Sequence, residues 1–167
     1  MQMSETYVEC LVKAKSKWVM IFLKYLLIGL TAVFVLLVLI GVILAIIPGA
    51  ITGVGAYFAT LYSDLEYEYL YLDKELVIDK VMAKSRRKRV AAYQVDRMEI
   101  MAPFRSHRLD NYKNRQVKIR DYSIGEEQQP DLRYAVYYEG GEKLILSPSQ
   151  EMVKAIRNVA PRKVFTD

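Results

Sequence analysis

Cysteine and histidine are almost missing from this chain: Cys10 and His107 are the only ones in 167 residues. A lone cysteine cannot close an internal disulfide, so nothing implies an oxidising compartment. The two side chains together cannot supply a three- or four-ligand His/Cys metal site, and most acid–base and nucleophile schemes lack their parts. The motifs G-x-x-x-x-G-K-[ST], G-x-G-x-x-G, G-x-S-x-G and H-E-x-x-H are all missing. Glu126-Glu127 falls in a turn-rich segment and reads as solvated charge. Cys10 reads as a small buried apolar side chain. His107, set in Phe104-Arg105-Ser106-His107-Arg108, reads as a surface loop residue. The reading is a non-catalytic protein with no cofactor, no metal and no catalytic residues.

Charge is missing from a whole region. Tyr25 to Tyr62 contains no Asp, Glu, Lys or Arg over 38 residues. Only Glu5, Glu9, Lys13, Lys15, Lys17 and Lys24 are charged before residue 63. That distribution excludes a simple soluble globule and a disordered chain. The apolar block from Trp18 to Tyr62 spans 45 residues. A bilayer core of ~30 Å needs about 20 helical residues, so two passes use nearly all of it. A secretory signal would have a far shorter apolar run, without the polar segment that precedes this one.

The block therefore predicts a helical hairpin over 18–62. Its first helix runs from about Lys17 to the low forties, and the turn falls within 41–49. Pro48-Gly49 is the strong turn signal and Gly41 the weaker one. Trp18 and Tyr25 flank the entry, Tyr57 and Tyr62 the exit, as interfacial anchors. Lys24 can snorkel outward. The basic flanks (Lys13, Lys15 and Lys17, then Lys84 to Arg89) and the uncharged inter-helix loop predict a two-pass protein of the cell membrane with both termini cytoplasmic. Gly41, Ala45, Gly49 and Gly53 recur every four positions. They predict close helix–helix packing within the hairpin, while a homo-oligomer through the same stripe stays open.

After Tyr62 the hydrophobic period changes to two. Residues 66–72, 75–82, 89–93, 98–102, 117–121, 133–138 and 143–146 read as strands, with Gly140-Gly141 marking a hairpin. Residues 104–115 read as a polar loop with room for a helical turn. Ser147, Pro148 and Gln150 read as the N-cap, first and third positions of an amphipathic helix over 148–159, which Pro161 ends. The alternating Tyr7–Lys13 segment, within an N-terminal stretch 1–17, reads as an extra strand docked on the same domain. The expected architecture is the membrane hairpin plus an α+β soluble domain over 63–167. That domain is a bent sheet or barrel of about seven strands with a C-terminal helix across its open end.

The two-helix hairpin followed by a Tyr-rich strand pair, a basic loop, further strands and a final helix resembles bacterial membrane proteins with a pleckstrin-homology-like domain. Asp64-Leu-Glu-Tyr-Glu-Tyr-Leu-Tyr-Leu-Asp-Lys-Glu-Leu76, Lys88-Arg89-Val90 and Asn158-Val-Ala-Pro-Arg-Lys-Val-Phe165 are similar to a domain-of-unknown-function family of clostridial membrane proteins. The resemblance implies a pleckstrin-homology-like fold and brings no activity and no site residues with it.

Lys84-Ser-Arg86-Arg87-Lys88-Arg89 carries five cations in six residues. It reads either as a solvated loop that keeps a strand edge unpaired or as a contact with anionic membrane lipids, at ~1 kcal/mol per cation. Nucleic acid is set aside as a partner: 20 − 17 leaves only +3 over residues 63–167, with no groove-reading motif. The functional expectation is a membrane-anchored interaction module for an unknown protein partner or the lipid surface. The alternative is an oligomeric transporter or channel subunit, or an assembly factor. An ion path needs polar groups inside the span, where only Thr31, Thr52 and Thr60 are polar and non-aromatic.

Overall fold

The computed structural model describes residues 7–15, 18–124 and 130–167. The expected helix start at Lys17, the first residues of the 1–17 stretch and Glu126-Glu127 lie outside these. The elements run β1 (Val8–Lys13), α1 (Trp18–Leu39), α2 (Ile46–Ser63), β2 (Leu65–Leu72), β3 (Glu75–Met82) and β4 (Arg86–Gln94). There follow β5 (Met98–Pro103), α3 (Asp110–Lys113), β6 (Lys118–Asp121), β7 (Tyr134–Tyr138), β8 (Glu142–Leu146) and α4 (Gln150–Val159). They divide into two compact units. One holds β1 with Glu66–Val81 and Arg87–Asp167; the other holds α1, α2, Asp64, Leu65 and Met82–Arg86.

In the helical unit both helices are long and apolar enough to cross a membrane. α1 has 22 residues, about 33 Å at 1.5 Å each. Its side chains are mostly exposed, and none is buried within the chain. The turn differs from the expectation built on Pro48-Gly49. The chain breaks at Gly41, whose φ of +104° suits glycine, and a short 3-10 turn over Ile43–Ala45 leads into α2. Pro48 sits in the first turn of α2, where its missing amide leaves no helical bond unmade.

The other unit contains two four-stranded sheets, ordered β1-β2-β3-β4 and β5-β7-β8-β6. Eight strands form rather than about seven. The eighth is β1, which pairs antiparallel with β2 from Val8 opposite Tyr71 to Lys13 opposite Glu66. β6 joins β8 in parallel, so the second sheet is mixed. One apolar core draws on both sheets and on α4: Tyr69, Tyr71, Ile78, Met101, Leu144 and Leu146 meet Met152 and Ile156. Cys10 packs against this core half-buried, and His107 is exposed.

Turn and cap chemistry account for two further departures. Asp73-Lys74 and Ala83-Lys84 turn with both residues at positive φ, the backbone that a two-residue hairpin needs even without glycine. The second of these turns is so short that Arg86 to Arg89 belong to β4, not to a loop. α4 starts at Gln150 and is capped by Ser149, whose hydroxyl accepts the Met152 amide at 3.2 Å. Ser147 is occupied elsewhere: its amide donates to the Tyr69 hydroxyl and its own hydroxyl accepts the Ile124 amide. The chain therefore stays extended two residues longer than the Ser147 cap required.

Candidate functional site

The basic run is split by the two-residue period of β4. Arg87 and Arg89 are held by carboxylates of the sheet: Arg87 Nη2 lies 3.1 Å from Glu68 Oε1, and Arg89 Nε lies 3.8 Å from Asp79 Oδ1. Lys84, Arg86 and Lys88 are exposed and make no ion pair among the described residues. Of five cations, two are neutralised and three have no ion-pair partner among the described residues. Residue counting alone could not show this. The signal that could have found it was the alternating carboxylates of β2 and β3.

The turn that carries Lys84 is tied to the end of the second helix. The Ala83 amide donates to the Asp64 carbonyl at 2.9 Å. Asp64 follows directly on α2 and is the first charged residue after Lys24. Lys84 and Arg86 thus belong to the helical unit, beside the point where the apolar helix ends.

Glu68 is itself unusual. It is 1% exposed on the side of β2 opposite the Tyr69 and Tyr71 core face, and its Oε2 has no hydrogen-bond partner. Burial raises its carboxyl above the ordinary range, helped by the neighbouring Glu9 carboxyl and opposed by Arg87. Glu9 is pulled the other way, chiefly because the Tyr7 hydroxyl donates to it at 2.8 Å.

Along the hairpin the four small residues part company. A methyl placed on Gly49 would lie 3.1 Å from the Phe34 Cβ, and one on Gly53 would lie 3.6 Å from the Thr31 Cγ2. Both glycines therefore face α1. Ala45 is buried in the 3-10 turn, whereas Gly41 is in the turn with open space around it. Gly55 lies outside the four-residue repeat, yet it also abuts α1, at Leu27. Trp18 is exposed at the first position of α1, and Tyr25, Tyr57 and Tyr62 are exposed along the helices. Lys24 lies over the Tyr25 ring at 5.7 Å. The three threonine hydroxyls each donate to their own helix: Thr31 to the Leu27 carbonyl, Thr52 to Pro48 and Thr60 to Ala56. Each hydroxyl proton thereby finds its acceptor within its own helix.

Among the described residues no three His, Cys, Asp or Glu side chains are grouped to hold a metal ion. The family model described as Bacterial PH-like domain (DUF6106) matches residues 4–166. No curated protein and no solved structure matches the chain.

Proposed function

Because the chain belongs to the bacterial PH-like domain family, a family of unknown function, we propose that it is a non-catalytic module anchored in the cell membrane by the α1–α2 hairpin. In this reading the chain crosses the membrane twice, both flanks are cytoplasmic, and the β-rich domain presents an interaction surface at that face. The Lys84 turn rests on anionic headgroups. The observation that carries the reading is the Ala83–Asp64 bond. It fixes a turn bearing uncompensated cations at the end of an apolar helix long enough to span. Each cation there adds about 1 kcal/mol toward an anionic surface. Transport fits less well, because every threonine hydroxyl in the span is already bonded to its own helix.

The test uses the full chain in lipid nanodiscs containing phosphatidylglycerol and phosphatidylcholine. Lys84→Ser with Arg86→Ser is expected to lower the phosphatidylglycerol that co-purifies after detergent extraction. Arg87→Ser with Arg89→Ser should leave it closer to the parent level. Equal retention by the parent and the Lys84/Arg86 variant would overturn the headgroup contact.

A further inference from the structure

Another cluster, this one on the β-rich unit, collects cations that make no ion pair among the described residues. Where α4 passes the start of β7 and residue 166, a cavity of about 340 Å³ is lined by Tyr134, Gln150, Val153, Lys154, Arg157 and Thr166. Gln150, Val153, Lys154 and Arg157 recur at three- and four-residue spacing, so one face of α4 forms its wall. Val153 is buried and supplies an apolar floor. Among the described residues no carboxylate lines the cavity. Lys154 and Arg157 make no ion pair among the described residues, and the one polar contact of Arg157 is a long bond from Nη1 to the Thr166 hydroxyl, at 3.4 Å. Asp167, the nearest acidic residue in sequence to this wall's C-terminal side, is taken by Arg108, which donates to both its oxygens.

We propose that this cavity binds the phosphate monoester group of a small soluble molecule. Nearly everything that converges on it donates: a guanidinium fork, an ammonium, two hydroxyls and a side-chain amide. Such a set complements a group that only accepts. Two unpaired positive charges match a dianionic phosphate ester better than a singly charged carboxylate. Arginine gives the directional fork and lysine the mobile point charge that phosphate sites use. Burial raises the Tyr134 phenol, so it keeps its proton at neutral pH and can donate. The volume exceeds what bare phosphate needs, which leaves room for the organic body of an ester and fits the lower range of small-molecule pockets. The site is independent of the membrane reading: it uses none of the Lys84–Arg89 cations and neither helix of the hairpin.

The experiment titrates full-length protein in detergent micelles with inorganic phosphate and with glycerol 3-phosphate, with chloride matching the ionic strength and glycerol as the neutral control. Thermal midpoint and amide chemical shifts are followed together. The expected result is saturable binding of both phosphates, tighter for the ester, with shifts at Gln150, Lys154 and Thr166. Lys154→Gln with Arg157→Gln should weaken binding by about a hundredfold while the unliganded midpoint holds, since each of the two lost charge-assisted bonds accounts for roughly tenfold. Glu151→Gln, on the same helix outside the cavity, should bind as the parent does. No saturable response to either phosphate, an unchanged response in the double variant, or binding of phosphate with exclusion of the ester would overturn the proposal.

Discussion

Arg87 reaches across the first sheet to Glu68, 3.1 Å away, and covers a carboxylate that is only 1% exposed while itself remaining open to solvent. A cation lying next to a free cation in sequence is therefore a structural one. Arg87→Ser leaves Glu68 buried without its counter-charge and is expected to lower stability by about 1–2 kcal/mol, less than for a fully enclosed pair because the arginine is exposed. Lys88→Ser, beside it, should stay within about 0.5 kcal/mol of the parent. Thermal unfolding of the detergent-solubilised protein distinguishes them, and equal effects would contradict the division of the basic run.

The same carboxylate sets a pH dependence. The folded state holds the Glu68 proton more tightly than the unfolded chain, mainly through burial. Unfolded, it leaves near pH ~4.3. The stabilising contribution is therefore complete below that pH and is lost as pH rises through the elevated folded value. Glu68→Gln removes this loss. Its midpoint should gain on the parent as pH climbs from the ordinary carboxylate range through the folded value, then hold a constant advantage. A midpoint difference that does not vary with pH would rule out a raised Glu68.

Asp131 and Arg133 make the opposite kind of pair. Arg133 is 4% exposed and donates to both oxygens of Asp131, at 2.8 Å each. The guanidinium bond holds the Asp131 carboxyl below its usual range. Stability from this group is present above the unfolded carboxylate pKa and lost as pH falls through the depressed folded value. Asp131→Asn should reduce stability by about 2–3 kcal/mol near neutral pH. Glu139→Gln, at the exposed Arg97 pair, should change it by less than about 1 kcal/mol. Denaturation midpoints at neutral and acidic pH test the contrast.

Gly49 and Gly53 sit one helical turn apart with different room. Gly49→Val would drive its side chain into the Phe34 Cβ, which is fixed close to the backbone of α1, so the helices must separate. Gly53→Ala meets only ordinary contact with the Thr31 methyl. The valine should lower the thermal midpoint in detergent clearly, by about 1–3 kcal/mol equivalent, and the alanine hardly at all. Two equally tolerated substitutions would argue against close approach at Gly49.

Strand-forming composition carried most of the β-rich unit: Glu66-Tyr67-Glu68-Tyr69 alternates in the two-residue period, whereas Tyr134–Tyr138, buried along nearly its whole length, is marked by its aromatic and β-branched residues. The hairpin was legible because 38 consecutive residues without charge are too many for one helix of a soluble core and match two helices in sequence. What stayed hidden was set by geometry that residue type does not announce. Ala83-Lys84 adopts positive φ without glycine, so the basic run reads as a loop by composition. Ser147 and Ser149 are chemically equal as caps, and two groups distant in sequence, the Ile124 amide on its hydroxyl and the Tyr69 hydroxyl on its amide, remove Ser147 from the choice. Gly41 outranks Pro48 as the turn because the reversal needs positive φ, whereas proline at the start of a helix is simply well placed. For the sites, local composition showed five cations, but which of them were neutralised depended on carboxylates brought in by neighbouring strands.

The most direct test of the central claim, that the chain enters the membrane at Trp18 and returns to the same side at Tyr62, is labelling of single cysteines by a membrane-impermeant thiol reagent in intact cells. In a Cys10→Ser background, Ile43→Cys marks the exposed inter-helix turn, while Lys88→Cys and Glu139→Cys mark the β-rich unit. Ile43→Cys is expected to react from outside, and the other two only after lysis. Outside reaction at Glu139→Cys, or failure of Ile43→Cys to react until lysis, would contradict it.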